Sequence, residues 1–131
     1  IMQQKTTVYK DVVEDIKKFF KQKLKLIDKV KIPQNKIWFD PGIGFGKNLK
    51  QNLLIIKNIK KLKLQKCGLL LGASRKSWIK AIADSPIEKR LGGSIASVLY
   101  CLDQEVDVFR VHDVFETRQA IEVYKKISCL R

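Results

Sequence analysis

Helical and strand-like apolar patterns alternate along the chain, and this alternation constrains the fold more than any other feature of the sequence. Residues 8–27 place apolar side chains at helical spacing, and three short apolar segments follow, each succeeded by a new helical pattern. The predicted strands are residues 36–40, 68–72 and 106–111, and the predicted helices are residues 8–27, 49–62 and 88–102 and a last helix that starts near Asp113. A helix followed by three strand–helix units predicts a parallel sheet with right-handed crossovers.

The side-chain spacing also predicts details of the first and last helices. Phe19 of the first helix and Ile127 of the last fall at inward-facing positions. Asp113 and Glu116 have the spacing of a capping box, so Asp113 is predicted to cap the last helix.

Polar residues follow each predicted strand at its carboxyl end. They are Asp40 after the first strand, Ser74, Arg75 and Lys76 after the second, and Arg110, His112 and Asp113 at the third. Residues that converge on one rim from successive strand ends are typical of the active site of a (β/α)8 barrel. Such a barrel needs about 250 residues, so three strand–helix units and a leading helix amount to somewhat less than half of one.

The charge balance favours small anionic ligands over nucleic acid. The 131 residues include 27 Lys and Arg and 13 Asp and Glu, a formal net charge of +14. Most basic residues are Lys on the polar faces of predicted helices, whereas nucleic-acid sites usually add Arg and exposed aromatics. No apolar run approaches the ~20 residues of a membrane span, so neither nucleic acid nor a membrane is a predicted partner. Cys67, Cys101 and Cys129 have neither disulfide nor zinc spacing, and no signal segment opens the chain, which together predict a cytoplasmic protein.

The first motif is the glycine-rich segment 40–47, with the sequence DPGIGFGK. Its glycines are spaced GxGxG and the next helix starts several residues later, which argues against a dinucleotide-binding fingerprint. Asp40 offers two parallel acceptors to the N–H edge of a planar, amidine-like ligand, and the glycines let a ligand approach the backbone closely. The alternative is a tight turn in which Asp40 bonds local backbone.

The second motif, residues 72–77 with the sequence GASRKS, combines two hydroxyls with two adjacent cations. A helix that starts here would offer free N–H groups to an anion, with Arg75 or Lys76 adding charge. The alternative is that both cations are solvated loop residues, although their position at a strand tip favours a ligand.

The third motif is Arg110 and His112, which point the same way if both lie in a strand. A charged Arg within an apolar strand is costly unless it meets an anion or a carboxylate. His112, the single histidine of the chain, could by itself be structural, but its shared face with Arg110 makes it a candidate second phosphate contact.

Together these residues suit the positioning of a polar heterocycle and the neutralisation of a departing anion. No Ser–His–Asp or Cys–His pairing can be assembled from the sequence, and no set of residues has zinc spacing. We therefore expect no metal ligands in this chain.

In order and spacing, three segments resemble the signatures of the dihydropteroate synthase family: residues 40–47, residues 72–77 and residues 110–114, the last with the sequence RVHDV. Met2 and Gln3 resemble the end of that family's fifth strand, and residues 93–96 resemble its seventh helix. The resemblance implies the C-terminal portion of a (β/α)8 TIM barrel, made of the end of strand 5 and of βα units 6 to 8. Residues 1–131 would then be one partial pterin-binding domain that lacks strands 1–4 and most of strand 5.

The resemblance also implies a reaction and a set of residue roles. The family joins p-aminobenzoate to 6-hydroxymethyl-7,8-dihydropterin diphosphate, which releases pyrophosphate and forms 7,8-dihydropteroate for folate biosynthesis. The implied pterin site contains Asp40, Lys76 and Arg110, with Met2, Phe45 and Gly72 lining it. Arg110 and His112 would grip the diphosphate, and Ser74 and Arg75 would border the p-aminobenzoate site near Phe45.

Finally, the resemblance implies a cytoplasmic transferase that uses Mg²⁺, with the metal's Asn ligand in the missing N-terminal half, and a homodimer. Because half of the barrel is absent, we expect the 131-residue chain alone to be inactive and to fold poorly. One alternative is another pterin-binding barrel, such as a methyltetrahydrofolate-dependent methyltransferase, which would have no need of the Ser-Arg-Lys and Arg-Val-His segments. Another is a truncated, non-catalytic remnant.

Overall fold

Three parallel strands alternate with helices in the structure, a computed structural model that describes residues 9–130. The helices are α1 (Val12–Lys29), α2 (Leu49–Lys57), α3 (Ser77–Lys80), α4 (Leu91–Cys101) and α5 (Val114–Ser128), and the strands are β1 (Trp38–Phe39), β2 (Gly68–Leu71) and β3 (Val108–Phe109). Short 3-10 helices occupy Gln34–Lys36, Ile59–Leu62 and Ile87–Lys89. The strand order is β1-β2-β3 and both pairings are parallel, so the predicted α/β fold with a parallel sheet is confirmed.

The strands are shorter than predicted because the two pairings are staggered along β2. Trp38 pairs with Gly68, whereas Val108 pairs with Leu70, so β1 lies beside the first half of β2 and β3 beside the second half. Single backbone hydrogen bonds extend both pairings, as in the 3.0 Å bond from the Arg110 N–H to the Leu71 carbonyl. Stagger of this kind accompanies the strand tilt of closed barrels.

Alternation along the strands gives the sheet one covered face and one open face. Phe39, Leu69 and Leu71 lie on the covered face and are almost fully buried among the helices. The opposite face, here called the inner face, carries Trp38 and Val108, which are 51% and 38% exposed. Such a division follows from the period of two in strand side chains.

Helix α1 covers one side of the sheet. The Asp11 side chain caps it by accepting hydrogen bonds from the N–H groups of Val13 and Glu14. Phe20 of this helix stacks on Phe39, with ring centroids 4.6 Å apart. The prediction that Phe19 points inward was wrong, because the buried stripe runs through Val12, Val13, Ile16 and Phe20 and leaves Phe19 half exposed.

The remaining helices begin or end at other residues than predicted. Helix α2 stops at Lys57, where the side-chain amide of Asn58 donates to the Leu54 carbonyl. The chain then continues as a separate 3-10 helix. Ile127 is 66% exposed rather than inward, because α5 packs mainly against α4 and its last turn is left uncovered. Among residues 9–130, no helix has the length and apolar character that a bilayer crossing requires.

Asp107 ties β2 to β3 through its carboxylate. It accepts a 2.6 Å hydrogen bond from the Leu69 N–H and a second bond from the Lys63 ammonium group. The Lys63 hydrogen bond is the main reason why the pKa of Asp107 lies below its ordinary value; burial opposes this shift, and the Leu69 N–H supports it.

We expect Asp107→Asn to flatten the acid dependence of stability. A carboxyl group whose pKa is lower in the folded than in the unfolded chain stabilises the fold above the unfolded pKa, and this contribution disappears as the pH falls through the folded pKa. In urea unfolding of the natural polypeptide that carries this sequence, here the parent, the free energy of unfolding should therefore fall more steeply than that of Asp107→Asn between about pH 5 and pH 2. The exposed Asp103→Asn is the matched control and should keep the parent's slope; equal slopes for Asp107→Asn and the parent would contradict the assignment.

Candidate active site

The three loops that follow the strands meet at the carboxyl edge of the sheet. The alternation that places Trp38, Leu70 and Val108 on the inner face continues to Asp40, Gly72 and Arg110, which puts these three on the same side. A guanidinium nitrogen of Arg110 lies 3.8 Å from the Asp40 carboxylate. Arg110 follows β3 instead of lying within it, and its side chain is 64% exposed, so the expected cost of burying it in a strand does not arise.

The glycine-rich loop is built on left-handed backbone that non-glycine residues rarely adopt. Gly42, Gly44 and Gly46 have φ angles of 69°, 80° and 59°. Asp40 accepts a 2.7 Å bond from the Gly42 N–H, as the local-turn alternative predicts, while its other oxygen faces Arg110. Asp40 can therefore act both as a turn residue and as a ligand acceptor, because its carboxylate has two oxygens.

Sequence reasoning missed Asn52, a residue of α2 that holds the glycine-rich loop through hydrogen bonds to its backbone. Its side chain is 2% exposed, accepts a 2.8 Å bond from the Gly44 N–H and donates to the carbonyls of Lys47 and Asn48. A buried amide with all of these partners holds the loop against helix α2. The signal for it was a polar residue on the otherwise apolar, inward side of α2.

Lys76 connects the second loop to the first. Its ammonium group donates to the Ile43 carbonyl and lies 4.4 Å from the centroid of the Phe45 ring. Its stem passes over Gly44, where a Cβ would lie only 3.0 Å from Cδ of Lys76. Burial lowers the pKa of Lys76, nearby Arg110 and Lys47 lower it further, and Asp40 opposes them.

Two contacts join the second loop to the third. The Ser74 hydroxyl lies 3.0 Å from Nδ1 of His112 and accepts a hydrogen bond from the His112 backbone N–H. Arg75 forms a bidentate ion pair with Asp113, in which Nε of Arg75 lies 2.9 Å from Oδ2 of Asp113. The prediction that Asp113 caps α5 was wrong. Its backbone occupies the cap position, but its side chain makes no cap bond because it binds Arg75, and that hydrogen bond lowers the pKa of Asp113.

The loops line a cavity of ≈ 400 Å³ that is open to solvent at this edge of the sheet. Its lining includes seven residues singled out from the sequence: Phe45, Gly72, Ser74, Arg75, Lys76, Arg110 and His112. Asp40 lines a neighbouring cavity and is connected to this one by its 3.8 Å ion pair with Arg110, which lines it. Met2 lies outside the described residues.

The charges around the cavity are incompletely balanced. Arg75 is neutralised by Asp113, but Arg110 faces Asp40 only at 3.8 Å, and Lys76 is in none of the ion pairs formed by residues 9–130. Such a concave surface with one fixed carboxylate and unsatisfied cations suits a ligand that carries both a donor-rich ring and an anionic group. Across residues 9–130, no three His, Cys, Asp or Glu side chains lie close enough together to hold a metal ion.

Gly72 provides the space in which the Arg110 guanidinium lies. A Cβ at this position would come within 3.0 Å of Nη2 and 3.3 Å of Nε of Arg110. We expect Gly72→Ala to displace the guanidinium and to weaken inorganic pyrophosphate binding several-fold, with little change in unfolding temperature. Calorimetric titration with pyrophosphate measures this, and Gly92→Ala, where a Cβ meets nothing within 4 Å, is the control. Unchanged affinity in Gly72→Ala would show that the guanidinium position is unimportant.

Comparison with known proteins agrees with this geometry. The family profile described as "Pterin binding enzyme" matches residues 1–112. The chain belongs to the pterin-binding enzyme family. The match contains the glycine-rich loop, the Ser-Arg-Lys loop and the Arg-Val-His segment, and it ends just before Asp113.

The curated relatives and solved structures to which this chain is similar include dihydropteroate synthases. The enzyme of Clostridium beijerinckii is 36% identical over 118 residues, which cover 89% of this chain and 44% of the relative, and that of Escherichia coli K12 is 33% identical over 120 residues, or 92% and 43%. The Yersinia pestis synthase with a sulfonamide drug superposes with a TM-score of 0.89 at 33% identity, over 98% of this chain and 46% of that one. The Xanthomonas albilineans synthase in complex with 7,8-dihydropteroate gives 0.90 at 28% identity, over 96% and 50%. The chain thus spans about half the length of the relatives it matches.

Proposed function

We propose that this chain forms the C-terminal portion of a (β/α)8 dihydropteroate synthase, in which it carries the pterin and diphosphate subsites. The proposed reaction joins 6-hydroxymethyl-7,8-dihydropterin diphosphate and p-aminobenzoate into 7,8-dihydropteroate and pyrophosphate. The observation that supports it most is the convergence of Asp40, Lys76 and Arg110 from three successive strand ends on one edge of the sheet. Ligand sites of parallel α/β folds lie at that edge.

In this proposal the pterin ring binds between Asp40 and Lys76. The Gly42 N–H fixes one oxygen of Asp40, so the carboxylate is held ready to accept from the amino and ring N–H groups of the pterin. The Lys76 ammonium group donates to the oxygen-bearing edge, and Gly72 leaves room for the ring and the Arg110 guanidinium to lie close to the backbone. Phe45 supplies apolar lining, and the role of Met2, which lies outside the described residues, comes from the family resemblance alone.

Arg110 and His112 bind the diphosphate. The Arg110 guanidinium is exposed at the cavity, and His112, which also lines the cavity, is held by Ser74. In the reaction the bond between the pterin methylene and the diphosphate oxygen breaks, and the electron pair leaves with pyrophosphate. Cations already positioned around that anion lower the barrier without further reorganisation.

The p-aminobenzoate subsite lies beside Phe45, Ser74 and Arg75. The amine of p-aminobenzoate forms the new carbon–nitrogen bond with the methylene and then releases a proton to solvent. Ser74 and Arg75 are already engaged by His112 and Asp113, so they act chiefly by fixing the walls against which the aromatic amine is oriented.

Mg²⁺ and a homodimer enter the proposal only through the family resemblance. The described residues do not form a ligand set for the metal, and no step of the proposed reaction is therefore routed through Mg²⁺.

Turnover by the natural polypeptide that carries this sequence tests the proposal. Its intact mass is measured first, and dihydropteroate formation is then assayed for that polypeptide and for residues 1–131 alone. We expect activity from a polypeptide about twice the mass of this chain, and none from residues 1–131, because a (β/α)8 site draws its residues from strand ends around the whole barrel.

Three results would overturn all or part of the proposal. A polypeptide of 15.1 kDa without turnover would indicate a non-catalytic remnant. Turnover by the 131 residues alone would contradict the need for further strands. Binding of methyltetrahydrofolate but not of the pterin diphosphate would assign the chain to another reaction.

A further inference from the structure

Arg90 is buried beneath the second loop without a carboxylate partner. It is 8% exposed, although charged residues are almost never buried unless paired. Its guanidinium instead donates to two backbone carbonyls, that of Ser85 at 3.1 Å through Nε and that of Arg75 at 2.9 Å through Nη1. None of the ion pairs among residues 9–130 includes Arg90. The group is therefore directed at the backbone rather than at an opposite charge.

Arg75 is the residue on which these contacts converge. Its φ of 54° lies in the left-handed region, which is unfavourable for a residue that carries a Cβ. Backbone of this kind persists only where the surroundings hold it, and it is concentrated at functional sites. Both backbone polar groups of Arg75 are held: the Ser94 hydroxyl accepts from its N–H at 2.8 Å, and Arg90 donates to its carbonyl.

Ser94 and Arg90 are themselves connected. The Ser94 hydroxyl donates to the Arg90 carbonyl at 2.8 Å, and Ser94 is only 2% exposed. Both residues belong to the start of α4, and neither lines the cavity. Their contacts to the second loop are made to the Arg75 backbone, so we expect their effect on a ligand to act through Arg75.

We infer that Arg90 and Ser94 are a positioning pair that holds Arg75 in its left-handed conformation and thereby sets the geometry of the second loop. The kink at Arg75 places Ser74 against His112, Lys76 over Phe45 and the Arg75 guanidinium on Asp113. A return of Arg75 to ordinary backbone angles would break these three contacts together. The consequence for substrate rests on the proposed function, whereas the effect on the backbone does not.

A double-mutant cycle with Arg75→Gly separates positioning from general stability. Glycine adopts positive φ freely and needs no support to do so. In the natural polypeptide, Arg90→Met is expected to lower kcat/KM roughly tenfold or more, mainly through KM for p-aminobenzoate. On the Arg75→Gly background the same substitution should lower it less than about twofold. An equal loss on both backgrounds would overturn the positioning role.

Two further variants keep the test decisive. Arg90→Lys retains the charge but has a single donor nitrogen. It replaces Arg90→Met if the latter does not fold, and it should give a smaller loss with the same dependence on residue 75. Arg118→Met removes an exposed Arg that pairs with Glu122 on α5, and it should leave kcat/KM unchanged. A comparable loss in Arg118→Met would overturn the inference by showing that any lost Arg suffices.

Amide hydrogen exchange distinguishes failure of this inference from failure of the proposed function. Exchange of the Arg75 N–H should accelerate at least about tenfold in Arg90→Met or Arg90→Lys, while the Leu69 N–H, bonded to Asp107, stays protected. This exchange pattern in a polypeptide without turnover would support the positioning pair and reject the synthase. Normal turnover by the natural polypeptide, with Arg75 exchange unchanged in the Arg90 variants, would support the synthase and reject the positioning pair.

Discussion

Asp40→Asn is expected to lower the affinity for 6-hydroxymethyl-7,8-dihydropterin and for its diphosphate by about the same factor, roughly 30-fold. A hydrogen bond to a charged acceptor contributes about 1.5–3 kcal/mol, and 2 kcal/mol corresponds to roughly 30-fold in affinity. An Asn side chain can still accept from the Gly42 N–H, so the loop keeps its conformation. Its NH₂ group, however, would face the N–H donors of the pterin.

Calorimetric titration of both ligands measures this effect. The control is Asp84→Asn, whose carboxylate is 89% exposed and lies 3.9 Å from the Lys80 ammonium group. It should bind both ligands like the parent. If Asp40→Asn bound the bare pterin normally, Asp40 would be only a turn residue.

Arg110→Ala is expected to discriminate between the same two ligands. Affinity for the diphosphate should fall roughly 30-fold, because hydrogen bonds to charged groups contribute about 1.5–3 kcal/mol. Affinity for the bare pterin should change less than about threefold, since this ligand has no diphosphate for Arg110 to bind. Arg110 already faces Asp40 at the longer distance of 3.8 Å, which leaves most of its donors free for an anion.

The matched control for Arg110→Ala is Arg118→Ala on α5. The salt dependence of diphosphate binding should become weaker in Arg110→Ala and stay unchanged in Arg118→Ala, because the lost contact is electrostatic. Equal losses for the diphosphate and the bare pterin would reject the diphosphate role of Arg110.

The order of elements and the location of the site could be predicted from the sequence because both depend on local signals. Apolar periodicity distinguishes strands from helices, and the polar residues that follow each strand lie at one edge of any parallel sheet. Seven of the candidate residues consequently line one cavity. The strand lengths were overestimated, because the register between neighbouring strands is a tertiary property that no local pattern encodes.

The supporting residues of the site could not be predicted for the same physical reason. Asp113 has the spacing of a helix cap, yet the forked Arg75 guanidinium binds it more strongly than backbone N–H groups do. Arg90 resembles any other cation of a basic chain until its burial is known. Their partners are separated from them by 38 and 15 residues along the chain, so only the fold brings them together.

Trp38 on the inner face of the sheet is an intrinsic fluorescence probe. Trp38 lies on this face, packed over Gly68 and 51% exposed, while Trp78 is 8% exposed and donates its indole N–H to the Ala73 carbonyl. Indole fluorescence shifts to shorter wavelength when water is removed from the ring, so the two tryptophans should emit as a red component and a blue component. Any segment or second protein that covers the inner face would convert the red component to blue and leave the emission of Trp78 unchanged. Association of this chain with any segment or protein that covers the inner face can therefore be followed in solution without an added label.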